Sequence, residues 1–217
     1  MIVLIGFMGA GKTTVGRLVA AKLGLPFADS DQVIEQRTGR QIRRIFAEDG
    51  EPAFRDLEHS VIAALLASQD TVLALGGGAP SHPVTRSLLA GLPVVYLRVS
   101  FAEAMSRVGD DKGRPMLARP DIRSLHAQRE PLYASIATLT IDTDPLSPPD
   151  IALKVLEGLR LAWIVLLAGA WKPIHALRYC SRDHDRRGMH AGRDDARLQR
   201  RLQPGGKRAR RLRARRA

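Results

Sequence analysis

The run Gly6-Phe7-Met8-Gly9-Ala10-Gly11-Lys12-Thr13 limits what this chain can fold into more than any other stretch. It fits the pattern G-x-x-x-x-G-K-[ST] in full. Before it stands Ile2-Val3-Leu4-Ile5, an apolar and partly β-branched run. After it comes a helical stripe of Val15, Leu18, Val19 and Leu23, closed by Gly24. Strand, glycine-rich turn and helix in that order gather main-chain N–H groups and a helix N-terminus around one point, which suits oxyanions. The glycines let backbone wrap a phosphate without Cβ clashes. Lys12 is placed to reach the β- and γ-phosphates, and the Thr13 hydroxyl to ligate Mg²⁺. The motif predicts a nucleoside triphosphate with Mg²⁺ and is silent on what accepts the phosphoryl group.

The segments that follow keep alternating. Phe27-Ala28 reads as a short strand, and Ile42, Ile45 and Phe46 as a helical stripe ended by Gly50. A helix begins near Pro52 and carries Leu57, Val61, Ile62, Leu65 and Leu66. Residues 71–75 form an apolar strand, 84–89 a helix, 94–99 the clearest strand and 101–108 a helix. Residues 123–136 read as helix, 138–141 as the last strand and 151–159 as the final helix. Such alternation predicts right-handed crossovers and a parallel sheet with helices on both faces. Ligands then sit beyond the carboxyl ends of the strands. The three most unusual local sequences, residues 6–14, 29–31 and 76–78, all follow predicted strands and share that edge.

Several residues near this edge carry chemistry with two readings each. Asp29 and Asp31 point the same way on an extended chain. One can hold magnesium through water and the other take a proton from an attacking hydroxyl; equally, Asp and Ser open helices as caps. Arg55 and Glu58 are spaced to pair on a helix, either as a surface ion pair or as a guanidinium held to grip a carboxylate. Gly76-Gly77-Gly78 suits close approach of a ligand to backbone, or a flexible turn. Arg114, in the polar segment 109–114, fits a loop closing over phosphate or an ordinary surface loop. Arg129 alone reads as a solvated helix residue.

Taken in order, these pieces resemble the shikimate kinase family along roughly residues 1–158. They are residues 6–16, Asp29-Ser30-Asp31, Ile45-Phe46, Gly50-Glu51, Phe54-Arg55, Glu58, Leu75-Gly76-Gly77-Gly78, Arg114-Pro115-Met116-Leu117, and Arg129 with Tyr133. The resemblance implies a P-loop NTPase fold of the nucleoside monophosphate kinase type, a five-stranded parallel sheet in order 2-3-1-4-5 with a lid. It implies phosphorylation of the shikimate 3-hydroxyl by ATP, a step towards chorismate and the aromatic amino acids. By that likeness Gly9, Ala10, Gly11, Lys12, Thr13 and Thr14 hold ATP, Arg107 lies against adenine and Arg114 is the lid arginine. One Mg²⁺ per subunit sits on Thr13, with Asp29 reaching it through water. Asp31 binds substrate hydroxyls and is the base, so that Lys12, Asp31 and Arg114 form the catalytic group. Arg55, Arg129 and residues 76–78 grip shikimate, with Glu58 in support. The family's short N-terminal lead is missing here, and Met116 replaces its usual leucine, a mild apolar change. A gluconate kinase-like enzyme of the same fold is the alternative, though a neutral sugar needs no carboxylate clamp.

Charge divides the chain where the resemblance ends. The whole chain has a net charge of +12, but residues 1–158 sum to −1 and residues 159–217 to +13. The expectation is a kinase domain over 1–158 and a basic extension over 159–217, largely disordered from Ser181 onward. Residues 207–216 would meet nucleic acid or an anionic surface through charge alone, with no aromatics for base stacking beyond Tyr179. The competing reading is a non-functional extension, from read-through or a frame error. A hydrophobic content of 45% excludes a wholly disordered chain. Cys180, the single cysteine, forms no internal disulfide. The longest strongly apolar stretch, 161–171, falls short of the roughly 20 residues a membrane span needs. The start lacks a basic region and a cleavage site, so no secretory signal is read. The expected enzyme is a cytoplasmic monomer with no obligate protein partner.

Overall fold

The computed structural model describes residues 1–109 and 121–167, with side chains through Leu161. The segment with Arg114 and the tail beyond 167, including the disorder expected of it, lie outside the described residues.

Ile2–Ile5 forms β1, and all four side chains are buried. A strand that hides both of its faces belongs in the middle of a covered parallel sheet. The partners are β2 (Phe27–Asp29), β3 (Val72–Ala74), β4 (Val94–Arg98) and β5 (Leu139–Asp142), arranged β2-β3-β1-β4-β5. Every pairing is parallel. Leu4 stands opposite Ala74 on one side and Val95 on the other. This is the order the resemblance implied.

The crossovers are helical, and a last helix follows β5. Among the described residues the α-helices are α1 (Lys12–Leu23), α2 (Ser30–Thr38), α3 (Ile42–Glu48), α4 (Gly50–Leu66), α5 (Pro83–Leu89), α6 (Phe101–Val108), α7 (Ile122–Ile136) and α8 (Pro148–Leu167). Two glycines delimit α1. Gly11 precedes it at φ 85°, and Gly24 ends it at φ 65°, its N–H donating to the carbonyls of Ala20 and Ala21. The last helix buries Ile151, Ala152, Val155 and Leu159 at helical spacing and packs against α1 and β5. It runs to Leu167, beyond residue 158, where the charge of the chain changes.

Apolar packing falls into two clusters. The larger surrounds the sheet. The smaller joins Ile34, Ile45, Phe54 and Val61, from α2, α3 and α4. One element differs from expectation. Asp31 is not part of an extended segment: Asp29 ends β2 and caps α2, accepting from the Asp31 N–H at 3.1 Å, and Asp31 lies in the first turn. The helix-cap reading is therefore correct, and the same turn delivers Asp31 to the strand ends.

Among the described residues no helix is long and apolar enough to cross a membrane.

Candidate active site

The carboxyl ends of β1, β2 and β3 run into the phosphate loop, Asp29 and the glycine triplet, so three stretches remote in sequence open on one cleft of about 910 Å³. In the phosphate loop, Lys12 Nζ donates to the carbonyls of Gly6 at 2.8 Å and Phe7 at 3.0 Å. The ammonium thus lies across the loop it belongs to. Thr13 Oγ1 donates to Asp29 Oδ2 at 2.7 Å, while the other Asp29 oxygen caps α2. One carboxylate ties the phosphate loop to the helix that carries Asp31. At Gly9, φ is 77°, and a Cβ would stand 2.7 Å from the carbonyl oxygen of Ala104 on α6, so no larger residue fits.

The far wall on this side comes from α6 and the loop after β5. Arg107 pairs with Glu103 at 2.8 Å and donates to the Thr143 hydroxyl at 3.1 Å and carbonyl at 2.8 Å. It thereby holds Asp144 and Pro145 along the cleft edge.

The opposite side is built from side chains. Arg55 on α4 is mostly buried and lies between two carboxylates, Glu58 at 2.6 Å and Glu51 at 3.1 Å. Its guanidinium faces the rings of Phe54 and Phe46, 5.2 and 5.9 Å from their centroids. Glu58 is 2% exposed, so this is no surface ion pair. Burial pushes the Glu58 carboxyl up to about 7, against the opposing pull of Arg55. Asp31 is pushed up to about 6, first by burial and then by the Asp29 carboxylate, with Lys12 and Arg55 acting the other way. A proton acceptor with that value works close to neutral pH.

The glycine triplet explains itself sterically. None of the three takes a left-handed φ. A Cβ on Gly76 would collide with the Asp31 and Glu58 carboxylates, and one on Gly78 with the Arg55 guanidinium. Only at Gly77 is there ordinary room, 3.7 Å from Tyr133 Oη and 3.8 Å from Arg129 Nη1. The glycines leave space for the protein's own charged groups, which is why Arg55 and Arg129 reach adjacent residues of one loop.

Arg129 corrects the sequence reading most sharply. It is 6% exposed rather than solvated, it lines the cleft, and its Nε has no hydrogen-bond partner among the described residues. A buried guanidinium with an open donor is a ready receptor for an anion. The structure thus brings Gly9, Ala10, Gly11, Lys12, Thr13, Thr14, Asp29, Asp31, Arg55, Glu58, Gly76, Gly77, Gly78, Arg107 and Arg129 to one cleft. Arg114 lies outside the described residues. Sequence reasoning missed the wall formed by Asp144 and Pro145, although the rule that ligands gather beyond strand ends applies to β5 as well.

The family model described as Shikimate kinase matches residues 8–160. The shikimate kinase of Mycobacterium bovis is 47% identical over 163 residues, covering 73% of this chain and 93% of that protein. The one from Thermobifida fusca is 48% identical, covering 75% and 96%. Among solved structures, a shikimate kinase from Acinetobacter baumannii in complex with shikimate superposes with a TM-score of 0.70. It is 39% identical, covering 79% of this chain and 94% of that one.

Proposed function

The chain belongs to the shikimate kinase family, and from that premise we propose that it transfers the γ-phosphoryl group of ATP to the 3-hydroxyl of shikimate, giving shikimate 3-phosphate and ADP. The single observation carrying this is the sharing of one cleft by a phosphate loop and a buried pair of arginines flanking a glycine triplet. Shikimate offers one carboxylate and vicinal hydroxyls. Arg129, with its open Nε, and Arg55 hold the carboxylate; Asp31 and the amides of residues 76–78 hold the hydroxyls. Glu58 fixes the Arg55 fork by its 2.6 Å ion pair.

Loop amides and Lys12 receive the ATP phosphates. Lys12 leaves the carbonyls of Gly6 and Phe7 for phosphate oxygens, and Arg107 flanks the base. Asp31 takes the proton of the attacking hydroxyl as its oxygen bonds to the γ-phosphorus and ADP departs. Most of the acceleration comes from positioning and charge neutralisation. Thr13 and Asp29 present hard oxygen donors at the mouth of the loop, which suits one Mg²⁺ held by Thr13 directly and by Asp29 through water. When bound, the ion neutralises charge on the β- and γ-phosphates. Arg114 is the lid arginine that completes this neutralisation.

We take the enzyme as a cytoplasmic monomer whose kinase domain spans 1–158. For the basic extension after it the first reading is a non-functional one, and the second is non-specific contact with nucleic acid or an anionic surface through charge alone. Salt-sensitive DNA binding by the full chain, lost on truncation after residue 160, is expected for that role. Activity surviving the truncation marks the extension as dispensable for catalysis. An ADP-release assay across shikimate, gluconate and nucleoside monophosphates tests the main proposal. A response to shikimate alone is expected, and a response to gluconate in its place overturns it.

A further inference from the structure

The loop that carries Gly76-Gly77-Gly78 has six main-chain polar groups, and each can be accounted for. The Gly76 carbonyl accepts from the Ala79 N–H at 3.0 Å, and the Gly78 carbonyl from the Ser81 N–H at 2.9 Å. The Gly76 N–H donates to the buried Ser30 hydroxyl at 2.9 Å. The Gly77 carbonyl accepts from Tyr133 Oη at 2.5 Å. The Gly77 and Gly78 amides have no partner among the described residues, and both glycines line the cleft. Buried backbone groups are nearly always paired, so two open donors in a cleft wall mark where ligand oxygens belong.

We propose that Tyr133 is a positioning residue for the phosphoryl acceptor: its buried hydroxyl holds the Gly77 carbonyl and thereby fixes which way the Gly78 amide faces. The peptide between them is trans and planar, so its C=O and N–H point in opposite directions. Pinning the carbonyl towards α7 aims the N–H away from α7. Such a pin is needed because a glycine–glycine peptide rotates more easily than any other. A rotation of that peptide would turn an acceptor-binding donor into a carbonyl facing the substrate's oxygens.

Tyr133 is built for this task. It is 1% exposed, and its ring packs against Tyr96 of β4 with centroids 5.2 Å apart. It follows Arg129 by one turn of α7, so a single helix face supplies the carboxylate receptor and the hydroxyl that sets the loop. Burial pushes the Tyr133 phenol up to about 12, which keeps it a donor across the working pH range.

The inference rests on the reading that this loop binds shikimate. Tyr133→Phe keeps the ring and its packing and removes only the hydroxyl. The shikimate KM, and the shikimate Kd by calorimetry, should rise about tenfold, because a buried carbonyl loses its donor. The KM for ATP should stay within twofold. A role in packing alone would lower the melting temperature without separating the two KM values. Tyr96→Phe, which removes the hydroxyl from the neighbouring ring, should leave both KM values in place. A shikimate KM within twofold of wild type for Tyr133→Phe, both KM values rising together, or failure of that variant to fold would each overturn the proposal. Failure of the functional reading is distinguishable, since the wild-type chain would then consume no ATP with shikimate.

Discussion

On the donor side of the cleft, shape comes from backbone. The phosphate loop is six residues and a helix start, its ammonium rests on its own carbonyls, and its glycines take conformations that other residues avoid. On the acceptor side, shape comes from side chains carried by α2, α4 and α7, which meet over a loop that none of them belongs to. The first kind of site is written in consecutive residues. The second exists only after folding, because nothing local to Arg55 says that Arg129 will stand beside it. The two also rest on different supports: the sheet core for the loop, and the small cluster of Ile34, Ile45, Phe54 and Val61 for Asp31, Arg55 and Glu58.

If the halves are independent, the largest effects should fall on chemistry while leaving the other substrate bound. Lys12→Met should lower kcat by about 10³-fold, as expected for loss of a charge that stabilises the transition state. Shikimate binding by calorimetry should be retained. Asp31→Asn should lower kcat by about 10²- to 10⁴-fold through loss of the base, with ATP binding retained. Loss of both ligands in either variant would show that the halves are one unit, joined through the Thr13–Asp29 bond.

The glycine triplet sharpens the contrast. Gly76→Ala places a methyl between two carboxylates, and Gly78→Ala places one on the Arg55 guanidinium. Each should raise the shikimate KM by about 100-fold, with Gly77→Ala costing clearly less. Equal costs at all three positions would mean that backbone conformation, rather than side-chain space, demands glycine here.

This is also where the sequence stops being readable. The strands and most helices announce themselves through apolar period and glycine stops. The phosphate loop is legible because its function is local. Asp31 was legible as chemistry but for the wrong geometry, since an alternating extended chain and the first turn of a helix both point it at the strand ends. Arg129 was not legible by itself. Its neighbours Leu125 and Leu132 are those of any amphipathic helix, and its burial comes only once α7 is packed in the fold beside the glycine loop. The ordered set of motifs recovered it only as a resemblance, which carries spatial information the single residue lacks.

Stability offers a smaller test of the two supports. Ile45→Ala opens a cavity in the minor cluster and should cost about 2–4 kcal/mol. Its kinetic trace should be a raised shikimate KM with the ATP KM retained. Val3→Ala in the sheet core should instead raise both, because β1 carries the phosphate loop and pairs with the strand before the triplet. Kinetics at a temperature where both variants are folded would check the split.

The smallest effect is the most specific to the acceptor side, and its sign follows from the raised carboxyls. Asp31 sits at about 6 in the fold against an ordinary 3.8, so the folded chain holds this proton more tightly than the unfolded one. The stability it contributes is full below about pH 4 and is lost as pH rises through about 6. At pH 8 the wild type carries a buried negative charge that Asp31→Asn removes. The variant should therefore be more stable than wild type at pH 8 and equal to it below pH 4, as denaturant melts at the two pH values would measure. Activity runs the opposite way, with wild-type kcat/KM rising through the same window as Asp31 ionises. Glu58→Gln must behave differently although the Glu58 carboxyl is raised too. The raised carboxyl alone would give it the same sign, but the 2.6 Å ion pair to the mostly buried Arg55 is broken, and loss of that counter-charge should outweigh the relief and cost stability at pH 8. If both variants gained stability there, Glu58 would be a strained group like Asp31 and not the anchor of the guanidinium.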